Sequence, residues 1–188
     1  MSETEQVITA VADEIGACLR AVRVDALEGA VRELTDAPRI FLAGAGRSAL
    51  GIRGFAMRLM HLGKDAHVVG EVTTPSTAKG DLLVIGSGSG RTESLLAMAS
   101  KAKKIGVRIL LLTIDPGSPI GELADCILQV PAPSTKAKDA PGAIESIQPM
   151  GSLFEQTLFV LCDAMIVLLM RDQQLTSDEM FKRHANLE

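Results

Sequence analysis

Two stretches of this 188-residue chain set small hydroxyl side chains beside bare glycine backbone: "IFLAGAGRSALG" at 40–51 and "LLVIGSGSGRTESL" at 82–95. Each passes from an aliphatic strand through a Gly-x-Gly turn to an arginine, a hydroxyl residue and a helical pattern, which makes a weak internal repeat. In an open α/β sheet such turns lie at the carboxyl edge, where helix N-termini offer unpaired N–H groups and a positive dipole end to an anion. Glycines and serines also make tight turns and cap helices without any ligand. Two matched turns, with Ser87, Ser89 and Thr92 crowded into one of them, favour a phosphate gripped by hydroxyls and amides.

No GxxxxGK[ST] occurs, which removes a Walker-type nucleotide site. "GAGRSA" satisfies the permissive GxGxxA dinucleotide fingerprint, with Glu71 available as the ribose ligand, yet that reading leaves the hydroxyl-rich second turn unexplained. Proton-transfer candidates are few. Glu155 has two readings: with Ser152 it has capping-box spacing at the start of an apolar helix, and it is also a carboxylate near the mouth of the sheet that could act as a base. His61, in "MRLMHLG", is either a packed residue or an acid or base. His184, in "KRHANLE", is either a solvated helix residue or part of a C-terminal element folded over a site. His67 begins a strand, and no pair of histidines has a local metal spacing, so no metal is expected.

The elements that must position these residues follow from the aliphatic pattern. Short runs ("RIFLAG", "HVVG", "LLVIGSG", "RILLLTID", "CILQVPAP") alternate with longer helical segments ("GIRGFAMRLMHLG", "TESLLAMASKAKKIG"). Continuous apolar strands separated by helices belong to a parallel sheet covered on both faces, here an α/β, doubly wound sheet of about five strands. Two helices precede it in 1–37, the first opening at a Ser2/Glu5 capping box and the second starting near Asp25. The sheet core occupies 38–133. A Pro-, Ser- and Lys-rich loop at 134–151 leads into C-terminal helices over 152–188, the last opening at a Thr176/Glu179 capping box.

With 47% apolar residues the chain can bury one good core, so 1–188 reads as a single domain. A net charge of −4 without a basic cluster argues against a nucleic-acid surface. The three cysteines, Cys18, Cys126 and Cys162, form neither a disulfide framework nor a CxxC pattern, which fits a reducing cytoplasm. The acidic, amphipathic N-terminus is unlike a secretory signal or transit peptide. "LFEQTLFVLCDAMIVLLM" is apolar enough to raise the membrane question, but Glu155 and Asp163 within it favour a buried or inter-subunit helix over a membrane span.

"GAGRS", "MRLMHLG", "VTTPS", "GSGSGRT" and above all "SIQPMGSLFEQ" resemble the sugar isomerase (SIS) domain family, and within it the 6-phospho-3-hexuloisomerases. The resemblance spans nearly the whole chain. It implies a single SIS domain with a flavodoxin-like strand order, a phosphorylated ketohexose as substrate, no cofactor, a homotetramer and a place in formaldehyde fixation through the ribulose monophosphate pathway. It implies that Ser48, Ser87, Ser89 and Thr92 hold the phosphate, helped by the amides of Gly88 and Gly90. Arg47 would contact sugar or phosphate, or form a surface or interface salt bridge. Glu155 becomes the base, with His61 and then His184 as partners, in some relatives from a neighbouring subunit. Alternatives are another aldose–ketose isomerase of the same family, a sugar-phosphate-sensing module without catalysis, which here would lack the basic helix-turn-helix of a regulator, and a dinucleotide-binding domain.

Overall fold

A computed structural model describes residues 1–133 and 145–187. The expected loop at 134–151 therefore lies in part outside the described residues. Its last residues, from Glu145 onward, are described and matter below.

The chain opens with helices α1 (Glu3–Arg20) and α2 (Val24–Asp36). It continues through β1 (Ile40–Gly44), α3 (Gly46–His61), β2 (Ala66–Val68), β3 (Leu82–Gly86), α4 (Glu93–Ile105), β4 (Arg108–Thr113) and β5 (Cys126–Gln129). It closes with α5 (Ser152–Asp172) and α6 (Ser177–Phe181). The Ser2/Glu5 and Thr176/Glu179 capping boxes form as the sequence indicates, each hydroxyl accepting from the third helical N–H.

All strand pairings are parallel and the order is β2-β1-β3-β4-β5, the flavodoxin-like arrangement. Alternation along each strand sorts the aliphatic side chains into two cores. Ile40, Leu42, Leu82, Val84, Leu110 and Leu112 face α1, α2, α3 and α5, whereas Phe41, Ala43, Leu83, Ile85, Ile109 and Leu111 face α4. Each such side chain taken fully out of water contributes about 1.5–3 kcal/mol, which is why strands this short hold their register. Truncating one that is buried on the thicker face, such as Leu158 of α5, would cost roughly 2–5 kcal/mol.

Two strand-end glycines set the approach of α3. Gly44 and Gly86 pair at the carboxyl ends of β1 and β3. A Cβ on Gly44 would lie 2.9 Å from the Ala49 backbone, and one on Gly86 would lie 2.6 Å from Ile52. Without those carbons α3 settles onto the strand ends, and the helix starts at Gly46, ahead of the "GIRGFAMRLMHLG" pattern. Arg47 and Ser48 consequently belong to the first turn of a helix.

Candidate active site

The hydroxyl-rich loop 87–92 connects β3 to α4, beside the first turn of α3 and at the point where the strand order reverses. Its backbone is tied backwards. Ser87 N donates to Leu112 O at 3.0 Å, Ile114 N to Gly88 O at 3.0 Å and Ile120 N to Gly90 O at 3.2 Å. The buried Thr113 hydroxyl adds a bond to Gly88 O at 3.1 Å, and Arg91 pairs with Asp115 at 2.8 Å. Gly90 adopts φ 60°, and a Cβ there would fall on the Ser118 hydroxyl, so this crossing requires glycine.

The Gly90 amide, expected to help hold the phosphate, instead donates to Ser87 O at 3.2 Å within the loop, which leaves the amides beside Gly88 and the side-chain hydroxyls available. The N-cap residues Ala45 of α3 and Thr92 of α4 make no side-chain cap bond, so the hydroxyl of Thr92 is not spent on its helix. Among the described residues, the hydroxyls of Ser48, Ser87 and Thr92 make no hydrogen bond, while Ser89 Oγ accepts only from Arg91 N at 3.3 Å. Two helix N-termini converge on the same space, each with first-turn N–H groups lacking partners within its own helix. These features suit an anion.

The opposite wall is the start of α5. A cavity of about 610 Å³ runs from Ser48, Ser87, Gly88, Ser89 and Thr92 across to Met150, Gly151, Ser152 and Glu155. That volume falls in the range of small-molecule sites. The cap reading of Glu155 is corrected here. Gly151 is the N-cap, Ser152 is already helical, and Glu155 N donates to Gly151 O at 3.0 Å, so Glu155 stands one position past the capping-box site. Its carboxylate instead meets Arg47: Nη1 donates to Glu155 Oε2 at 2.8 Å and to Ser152 Oγ at 3.0 Å. Among the described residues Oε1 has no donor. Of the readings open to Arg47 in the sequence, the structure shows a salt bridge, made to a residue that lines the cavity with it.

Gly90 supports the loop from behind and does not line the cavity. Leu95 and Met150 do line it, though sequence reasoning gave them no role. Met150, at φ 60°, lies within the "QPMGS" run, whose Pro-Met-Gly order was the available signal for a turn.

The two histidines gather elsewhere. His61 is the last residue of α3, and its ring stacks on that of His184 with centroids 5.4 Å apart. Arg58 Nη1 lies 3.3 Å from His61 Nδ1, and Arg183 donates to the His61 carbonyl at 3.0 Å. Burial, then the Arg58 and His184 charges, hold the His61 pKa below its usual value. At 1.5 Å per residue, α3 carries His61 about 22 Å from Gly46, farther than a hexose phosphate spans. The structure brings Glu155, Arg47 and the serine loops together and does not bring the histidines to them within one protomer. Glu71, the alternative ribose ligand, pairs with Arg53 at 3.2 Å. Among the described residues, no three His, Cys, Asp or Glu side chains gather as metal ligands would.

The SIS domain family matches residues 33–160. A Bacillus subtilis (strain 168) protein named 3-hexulose-6-phosphate isomerase is 53% identical over 150 residues, covering 80% of each chain. A Mycobacterium gastri protein of the same name is 45% identical over 170 residues, covering 89% of this chain and 84% of its own. The crystal structure of a Methanococcus jannaschii protein, inferred to be a 3-hexulose-6-phosphate isomerase, is 36% identical. It superposes with a TM-score of 0.83, covering 97% of this chain and 99% of its own.

Proposed function

The chain belongs to the SIS-domain family, and from that premise we propose that it interconverts D-arabino-hex-3-ulose 6-phosphate and D-fructose 6-phosphate. The observation that carries the reading is one carboxylate, Glu155, set across a single cavity from the hydroxyls of Ser48, Ser87, Ser89 and Thr92. A dianion at one end and a proton acceptor at the other match a phosphorylated sugar whose reacting carbons lie away from its phosphate.

In this reading the serine loops and the amides around Gly88 bind the phosphate, while Gly90 keeps its loop in shape. Binding remote from the reacting carbons supplies orientation. Glu155 takes the proton from C2 of the 3-ketose as the electrons pass to O3, forming a cis-enediolate. A proton passes between O2 and O3, and the carboxylic acid returns its proton to C3, leaving the carbonyl at C2. Atoms and electrons balance without a redox cofactor. Arg47 orients Glu155 and lies close enough to steady charge on the enediolate oxygens. The 3-ketose cannot close a five-membered ring through O6, which carries the phosphate, so ring opening concerns only the reverse direction.

The finer parts of the proposal concern assembly and setting. Residues 1–188 act as one SIS domain in a homotetramer, and His61 and His184 serve the site of a neighbouring subunit. Exposed Leu50, Met57 and Met60 on α3, with Phe159, Val160 and Val167 on α5, support association. The same apolar composition makes Ser152–Asp172 long and apolar enough to cross a membrane, yet half of its most apolar window is buried against the protein. A cytoplasmic enzyme acting after hexulose-phosphate synthase, in formaldehyde fixation by the ribulose monophosphate pathway, fits this chemistry.

The test is proton NMR of fructose 6-phosphate in D2O with the wild type and with Glu155→Gln. Formation of a 3-ketose phosphate by the wild type and its loss in the variant is the expected result. Exchange at C1 would replace the reading with an aldose–ketose isomerase, and no change at all would leave a binding module.

A further inference from the structure

Glu14, on α1, belongs to no motif, yet its carboxylate collects three donors from the segment that leads into α5. Oε1 accepts from Ile147 N at 2.8 Å, and Oε2 accepts from the Ser146 hydroxyl at 2.7 Å and from Gln148 Nε2 at 2.9 Å. Ser146 Oγ in turn accepts from Gln148 N at 3.0 Å, closing the cluster. All the donors are neutral, so the anion is held by hydrogen bonds and not by an ion pair. Burial pushes the Glu14 carboxyl up, and the bonds from Ile147, Ser146 and Gln148 bring it down to a net lowered pKa.

This clamp sits two residues before a strained turn. Met150 adopts φ 60°, a left-handed conformation that costs a non-glycine residue on the order of 1–3 kcal/mol and persists only where its surroundings impose it. On one side of the turn Ser152 N donates to Pro149 O at 3.2 Å and α5 begins. On the other side stands the Glu14 cluster. Met150, Gly151 and Ser152 then line the cavity, and Glu155 stands within the first turns of the helix.

We propose that Glu14 is a positioning residue for Glu155. By fixing the backbone at 146–148 from α1, it sets the angle at which α5 enters the site and where the Glu155 carboxylate stands relative to the phosphate loops. The proposal rests on the isomerase reading above.

The experiment compares wild type, Glu14→Gln, Ser146→Ala and Ser146→Thr by steady-state kinetics on fructose 6-phosphate, by amide hydrogen exchange at 146–148 and by thermal melting. Gln offers one acceptor oxygen where the carboxylate offers two, so exchange at Ile147 should quicken. A misplaced base should lower kcat about 10- to 100-fold, while KM, set by the distant phosphate loops, stays within about twofold. Ser146→Ala should show a smaller loss of the same kind, and Ser146→Thr, which keeps the hydroxyl, should restore the wild-type values. Wild-type turnover matched by Glu14→Gln despite faster exchange would overturn the proposal. So would a loss of activity that merely tracks the unfolded fraction, or one that falls on KM instead of kcat. A wild type that leaves fructose 6-phosphate untouched would instead overturn the isomerase reading, and the positioning role of Glu14 with it.

Discussion

Arg47 and Glu155 stand 2.8 Å apart, one in the first turn of α3 and the other near the start of α5, so a single ion pair ties the strand-end helix to the opposite wall of the cavity. The pair is partly open to water, with 52% of the arginine side chain and 21% of the glutamate exposed. Its worth to folding is accordingly small, because exposed pairs contribute about 0–1 kcal/mol. Its worth lies in orientation: the guanidinium also holds Ser152 and leaves Glu155 Oε1 free among the described residues.

Arg47→Met should therefore separate activity from stability. The melting temperature should stay near that of the wild type, while kcat/KM falls about 10- to 100-fold as the carboxylate loses its fixed orientation. Arg47→Lys should recover only part of the loss, since an ammonium cannot reproduce the fixed geometry of the guanidinium. Equal activity in all three proteins would make the pair a bystander. Parallel kinetics and melting curves across the series decide the matter.

Ser89→Ala combined with Thr92→Ala removes two hydroxyls from the phosphate loop without touching the bonds that tie that loop to β4. Hydrogen bonds to a charged group contribute about 1.5–3 kcal/mol each, so KM should rise at least tenfold while kcat changes much less. Competition by inorganic phosphate should weaken in step. If both kinetic constants and phosphate inhibition stayed at wild-type values, the phosphate would have to bind elsewhere.

Much of this arrangement was legible because it is written locally. The aliphatic runs fix the five strands, and two matched glycine turns mark the sheet edge that carries the cavity. Other features depend on distant partners. The Ser-x-x-Glu spacing at 152–155 suggests a cap, but the helix start is set by the turn at Met150, and Arg47 claims the carboxylate from 108 residues away in sequence. Likewise, α3 begins early because Gly44 and Gly86 lack the Cβ atoms that would hold it off the sheet. Glu14 was invisible to motif reading, since its partner Ser146 lies 132 residues along the chain. The separation of His61 from the cavity end of α3 needed only helix arithmetic, applied once the limits of that helix were known.

His61 makes stability depend on pH. Its folded-state pKa lies below the ordinary value of 6.5, chiefly through burial and then through Arg58 and His184. Well above that value both folded and unfolded chains leave it neutral, and it contributes no pH dependence. As pH falls through the unfolded value, the unfolded chain takes up a proton that the folded chain resists, so stability declines on acidification. Melting temperatures measured from about pH 7.5 to about pH 5.5 should fall more steeply for wild type than for His61→Asn. Parallel slopes would mean that the ring is as easily protonated when folded.

The length of α3 between Gly46, at the cavity, and His61, at its far end, also decides how a histidine could reach the substrate. At about 22 Å along α3 it cannot do so within one protomer, whereas a neighbour docked on the apolar faces of α3 and α5 could present its own His61 and His184. Light scattering should then give a mass near four times the 19.9 kDa chain, and Leu50→Asp with Phe159→Asp should lower both mass and activity. Glu155→Gln and His61→Asn should each be inactive alone. Co-expressed and purified as mixed oligomers, they should regain activity, because some sites would combine an intact Glu155 with an intact His61 from the partner. An active His61→Asn protein would restrict that ring to packing against α6. Two inactive variants that stay inactive when mixed would show that His61 does not serve a neighbour's site.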